Sequence, residues 1–189
     1  MSAEILEKAF ASTSRVLASV APDQFDLPTP CVSWKVRDLL DHVVGGPAFF
    51  AVTAETGTAP AIGGDRPDLS AVDFKATFDA AAARAVKAFS AEGAMEKPMK
   101  LPYGELPGSV FVIIAATDTF THGWDMAAAT GQSTDLDPTT AAQILEAVSA
   151  FLPDALRGAD GEMPFGPRAE APVTATAADK LAAFMGRQV

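Results

Sequence analysis

One cysteine in 189 residues, Cys31, rules out an internal disulfide and suits a reducing compartment. Histidine is nearly as scarce. His42 and His122 are the only two, so a site that needs two imidazoles must recruit both. Positive charge is short as well: 14 Lys and Arg against 24 Asp and Glu give a net charge of −10 and a pI near 4.5. A phosphate backbone would be repelled, which excludes nucleic acid as a partner. No apolar run reaches membrane-span length without interruption, and the opening MSAEILEKAF carries acids where a signal peptide would carry a basic segment. The expectation is therefore a cytoplasmic protein with no membrane partner. What is present is ordinary for a globular chain: 49% hydrophobic residues and a length that suits one domain over 1–189, with 160–189 as a C-terminal extension.

The hydrophobic pattern is helical almost throughout. Ile5, Leu6, Phe10, Val16, Leu17 and Val20 recur at helical intervals and predict a first helix between Ser2 and Val20. Pro22, Pro28 and Pro30 then force a connecting loop. Ser33 is placed to cap a second helix running towards Ala54 on Leu39, Leu40, Val43 and Val44, with Pro47 expected to bend or divide it. The Gly- and Pro-rich stretch Thr56 to Leu69 reads as a surface loop long enough for a lid. Ser70 is the expected cap of a third helix with Phe74, Phe78, Ala81, Ala85 and Phe89 on one face. MKLPYGELPG, from Met99, predicts a small hairpin turning at Tyr103–Gly104, and Ser109 is expected to cap a fourth, central helix. A fifth helix opens at Pro138 and uses Ile144, Leu145, Val148, Phe151 and Leu152, with Pro153 as a kink or restart and Arg157–Gly158 as its end. An irregular return and a short helix with Leu181, Phe184 and Met185 close the chain. The fold class is all-α: a four-helix bundle with a small β-hairpin and a C-terminal extension.

The stretch DTFTHGWD, Asp118 to Asp125, lies late in the apolar fourth helix. Phe111, Ile114, Asp118, His122 and Asp125 follow helical spacing, so polar groups occupy the continuation of a core-facing stripe and need partners there. Asp118 and His122 are four residues apart on one face, near enough to share a metal ion, and His42 on the second helix is the natural third ligand. An Asp and a His at this spacing alone most often make a surface pair; both histidines on separate predicted helices turn the reading towards a metal. Asp125 can bond His122 or the nearby backbone, and Asp38, one turn before His42, can orient its imidazole or serve the helix start. Gly45 and Gly46 remove side-chain bulk one turn after His42.

PTPCVSWKVRDLLDHVVGG from Pro28, LPYGELPGS from Leu101 and DTFTHGWDMAAATG from Asp118 together resemble the DinB/YfiT-like proteins. The nearest branch is the one related to the metal-binding domain of mycothiol-dependent maleylpyruvate isomerase. The resemblance covers most of the chain. It implies a DinB-like four-helix bundle holding a divalent metal, zinc or nickel, through His42, Asp118 and His122, and a homodimer. Asp118 stands where the isomerase has glutamate or other members have histidine, one methylene shorter than glutamate. The isomerase also carries a sizeable second domain to which the tail after Ala159 does not correspond.

The chemistry expected is that of a metal-dependent transferase or isomerase in which a low-molecular-weight thiol, activated at the metal, attacks a small electrophile. Hydrolysis and non-catalytic binding of a metal or small ligand on the same bundle are the alternatives. No other residue has the signature of a general acid or base. Trp34 and Trp124 are candidates to flank a substrate, with core packing as the competing role. Arg37 and Arg157 can hold an anionic group or make surface salt bridges. Cys31, ahead of a helix N-terminus, is either a thiol of lowered pKa or a small buried apolar residue.

Overall fold

The structure, a computed structural model, describes residues 3–61, 73–102, 104–158 and 165–189. The element order is α1 (Glu4–Leu17), α2 (Val36–Thr56), α3 (Phe74–Phe89), β1 (Pro98–Leu101), β2 (Gly104–Pro107), α4 (Gly108–Ala129), α5 (Pro138–Ser149) and α6 (Ala177–Phe184), with 3₁₀ turns at Pro22–Gln24 and Asp154–Leu156. This is the all-α architecture expected, with its small antiparallel hairpin in the register Pro98↔Pro107 to Leu101↔Gly104.

α4 is the axis. It packs on α1, α2, α5, α6 and both strands, which is why its residues are apolar nearly all round. α2 lies against α3 and α4, and α1 against α3 and α4, so α1 to α4 enclose the core. Leu6, Leu39, Leu40, Phe78, Phe89, Phe111 and Phe120 are fully buried there. Each contributes roughly 1.5–3 kcal/mol by leaving water. Edge-to-face rings tie the helices together, Phe10 to Phe78 at 5.7 Å and Phe50 to Phe111 at 5.9 Å. α1 and α4 pack tightly at Gly123, whose missing side chain admits Thr13; the Thr13 hydroxyl donates to the Thr119 carbonyl at 3.0 Å.

The helix starts differ from the sequence reading. α2 begins at Val36 rather than after Ser33, because the N–H groups of Val36 and Arg37 bond the carbonyls of Leu27 and Phe25, while Asp38 Oδ2 accepts the Lys35 N–H at 3.0 Å. α4 begins at Gly108 without a Ser109 cap, since the Gly108 and Ser109 N–H groups reach the carbonyls of Lys97 and Met95. Asp73 caps α3 through Ala76 N–H; Ser70, the greater part of the 56–69 loop and Tyr103 lie outside the described residues. Gly104 is the first residue of β2, paired with Leu101, and not part of the turn.

α2 runs undivided through Pro47, which is buried, held on both sides by the core residues Val43, Val44, Phe50 and Ala51. α5 stops at Ser149, so Phe151 falls outside it and is 38% exposed; Pro153 restarts the chain as the 3₁₀ turn, and Arg157 lies past the helix, in a bridge to Phe165. No described helix is long and apolar enough to cross a membrane.

Candidate metal centre

α2 and α4 pack side by side, and each brings one imidazole to the same point. His42 Nε2 lies 3.2 Å from Asp118 Oδ1, and His122 Nε2 lies 3.6 Å from the same oxygen. The rings of His42 and His122 meet edge to face, 4.7 Å between centroids. One ligand atom from each of the three residues lies within 4.8 Å of the others. Donors 2.0–2.2 Å from a tetrahedral ion are about 3.3–3.6 Å apart, which both nitrogen-to-oxygen separations approach, so the chemistry of two nitrogens and a carboxylate oxygen suits a divalent cation here. The shorter side chain of Asp118 still reaches both imidazoles. Gly46 lies beside it on α2: a Cβ there would stand 3.9 Å from Asp118 Oδ2, in ordinary contact.

The three side chains are graded in exposure: His42 37%, Asp118 31% and His122 13%. The site therefore opens on the His42 side, where a further ligand can approach, and is closed behind His122. Burial acts to raise the Asp118 pKa, but His42 first, then His122 and the charge of Arg187, outweigh it and hold the carboxyl below its ordinary range.

Behind His122 stands a second layer. Asp125, fully buried, accepts from His122 Nδ1 at 2.9 Å. Burial alone would raise its pKa, yet the bond to His122 and the guanidinium of Arg187 bring it down to about 2. An ionised carboxylate only accepts, so Nδ1 carries the hydrogen of this bond, and Nε2, on the Asp118 side, is the ring nitrogen left to face an ion. Arg187 grips Asp125 with two bonds, Nε to Oδ1 at 3.0 Å and Nη2 to Oδ2 at 2.7 Å. Cys31 Sγ donates to Asp125 Oδ2 at 3.3 Å and stands 3.9 Å from His122 Nδ1. Burial first, then the neighbouring Asp125 charge, push the Cys31 thiol up to about 12. The structure therefore chooses the inert reading of this cysteine over a thiol of lowered pKa.

Trp34 roofs the site, its ring 5.1 Å from that of His42 and 5.6 Å from that of His122. A tight turn holds it there: Trp34 N–H bonds the Cys31 carbonyl at 2.8 Å, and Thr29 Oγ1 lies 2.9 Å from the Trp34 carbonyl oxygen. The other sequence candidates sit elsewhere. Trp124 is 4% exposed and spends its Nε1–H on Asp179 at 2.9 Å, which leaves it in the core with no face for a substrate. Arg37 is turned to solvent and bonded to Asp26 at 2.8 Å. Asp38 closes the start of α2 through Lys35 N–H. Arg157 packs over Phe184 at 4.6 Å beside the C-terminal helix.

A model of the mycothiol maleylpyruvate isomerase N-terminal domain matches residues 6–127. The chain belongs to that family. Two Mycobacterium tuberculosis proteins, "Uncharacterized protein MT0763" and "Uncharacterized protein Rv0738", are each 44% identical over 183 residues, 97% of this chain and 94% of theirs. Among solved structures, the mycothiol-dependent maleylpyruvate isomerase shares the fold at a TM-score of 0.52 and 17% identity, over 66% of this chain. The match spans 58% of that isomerase. The isomerase-type domain region contains His42, Asp118, His122, Asp125, Cys31 and Trp34, whereas Arg187 lies beyond it. Arg187 is the residue that sequence reasoning missed. The need was visible, a carboxylate on an apolar stripe, but its partner is 62 positions away in the chain.

Proposed function

We propose that this protein is a divalent-metal enzyme that uses a low-molecular-weight thiol, of the mycothiol type, on a small electrophile, as a transferase or isomerase. The observation that carries this reading is the half-open triad of His42, Asp118 and His122, with each imidazole 3.2–3.6 Å from the same Asp118 oxygen, all three donors within 4.8 Å of one another and one side towards solvent. Zinc is the ion best matched to two imidazoles and one carboxylate; nickel is the second choice. When bound, such an ion supplies Lewis acidity and makes a coordinating thiol acidic enough to ionise near neutral pH.

The chain's own groups set what else is needed. His122 is locked in orientation by Asp125, Asp118 stays ionised, and Trp34 covers the imidazoles and offers an apolar wall on which a flat substrate can lie. The thiol must come from outside, because Cys31 is held protonated and hydrogen-bonded to Asp125. In the proposed reaction the thiol loses its proton and its sulfur adds to an electrophilic carbon of a C=C bond conjugated to a carbonyl, whose π pair moves onto the carbonyl oxygen. In a transfer the adduct takes up the proton and keeps the sulfur; in an isomerisation the sulfur leaves with its electron pair after rotation about the opened bond, the double bond re-forms and the thiol recovers its proton, so it is not consumed. The name of the structural neighbour supplies the first thiol and electrophile to try, mycothiol and maleylpyruvate.

The test is loss of an electrophile from a small panel, followed with zinc-loaded protein in the presence and absence of mycothiol or a shorter thiol. Consumption that needs the thiol and disappears in His42→Ala supports the reading. Loss without thiol marks a hydrolase. Binding without turnover across the panel marks a non-catalytic metal or ligand binder.

A further inference from the structure

We propose that Arg187, from the segment after α6, is a positioning residue of the metal centre: it fixes Asp125 in the orientation that aims His122 Nε2 at the ion. This inference rests on the metal reading above and extends it to a part of the chain outside the matched family region.

α6 ends in a reversal built on Gly186, at φ +94°, with Gly186 N–H bonded to the Ala183 carbonyl at 3.0 Å and Arg187 N–H to the Ala182 carbonyl at 2.9 Å. These are the two bonds of a Schellman motif, which turns the chain back over the last helical turn. A Cβ at Gly186 would lie 2.8 Å from Gly166 Cα, so the reversal is also wedged against the segment before α6. Arg187 Nη1 then bonds the Met185 carbonyl at 2.8 Å, closing the side chain on its own turn.

Arg187 uses the rest of its donors on the second layer. Nε and Nη2 form two parallel bonds to Asp125, and Nη2 also lies 3.5 Å from Cys31 Sγ. The side chain is 14% exposed and Asp125 is not exposed at all. With its donors committed in this way, the guanidinium has little left for a substrate carboxylate. What it does is hold a carboxylate by both oxygens, which a single contact from His122 cannot do. Asp125 Oδ2 is shared between Arg187 and His122 Nδ1, so the plane of the carboxylate, and with it the rotation of the His122 ring, follows Arg187.

The experiment measures zinc affinity by chelator competition in the full chain. Arg187→Ala is expected to weaken binding by about 10–100-fold, the cost of losing an outer partner of a metal-bound histidine. Arg187→Lys keeps the charge without the paired bonds and is expected to recover part of that loss, leaving a deficit of about threefold to tenfold. In an Asp125→Asn background Arg187→Ala should add no further loss, because the effect passes through Asp125. Asp179→Asn, which loosens α6 by leaving one accepting oxygen where Asp179 has two, for the Trp124 Nε1–H and the Thr176 N–H, without touching Asp125, should stay within about threefold of wild type. Wild-type affinity in Arg187→Ala, an equal loss in Asp179→Asn, or an undiminished loss in the Asp125→Asn background would each overturn the proposal. Should Arg187→Ala not fold, wild-type affinity in Arg187→Lys overturns it. Wild-type protein that binds no zinc fails the metal reading itself, a result distinct from all of these.

Discussion

The seat of α4 against α1 can be tested at one atom. Gly123 follows His122 directly, and a Cβ placed there would overlap Thr13 Oγ1 and press on Thr13 Cβ and Cγ2 at 3.2 and 3.3 Å. Gly123→Ala therefore forces α4 away from α1 or breaks the bond from the Thr13 hydroxyl to the Thr119 carbonyl. Overpacking costs about 1–3 kcal/mol and the lost buried bond about 1 kcal/mol, against a gain of about 1 kcal/mol from alanine's helix propensity. The net loss is about 2 kcal/mol, which for a chain of this length lowers Tm by about 4–8 °C. Thermal unfolding of the metal-free protein by circular dichroism measures it. Thr13→Ala removes the overlapping oxygen, so the double variant should regain about 1 kcal/mol relative to the sum of the two single changes. If Gly123→Ala is as stable as wild type or more so, propensity has won and the close α1–α4 approach is wrong.

Two further expectations follow from the layer behind His122. The Asp125 pKa falls from 3.8 to about 2 in the folded state, so its ion pair contributes stability above the unfolded value and loses it as pH falls through the folded one. The shift is worth about 2 kcal/mol, so urea unfolding of metal-free protein should show that loss between about pH 4 and pH 2. Asp125→Asn should lack this part of the pH dependence, and an unchanged profile would contradict the assignment. Cys31, with its thiol pushed up to about 12, should react with iodoacetamide at pH 8 on the order of a thousandfold more slowly in native than in unfolded protein. Native alkylation within about tenfold of the unfolded rate would show an accessible, ionised thiol instead.

The helices were legible because their apolar residues recur at the helical period, and α4 stood out because almost every face of it is apolar. Where they begin was not. Ser33 and Ser109 carry the right side chains for caps, but at both places the first N–H groups are taken by carbonyls from distant backbone, Leu27 and Phe25 for α2, Lys97 and Met95 for α4. A cap is a local signal only when no tertiary partner competes for the same N–H. Pro47 shows the same override, a helix breaker carried inside α2 by the core on both sides of it. At the site, two histidines and an i, i+4 aspartate were enough to name residues that the fold brings together. Trp34 and Trp124 looked alike in sequence and separate in the structure because one sits on the turn before α2 and the other faces α6. Arg187 had no local signal, since its place depends on a glycine reversal and on an aspartate far from it in the chain.

The central claim is that His42, Asp118 and His122 form one metal centre. The most direct test is metal content by elemental analysis of tag-free protein, as purified and after incubation with zinc or nickel, for wild type and for the Asp118→Ala, His122→Ala double variant. Close to one equivalent of zinc or nickel is expected in wild type and none in the variant. Wild-type protein that takes up neither ion, or a variant that retains as much as wild type, would contradict it.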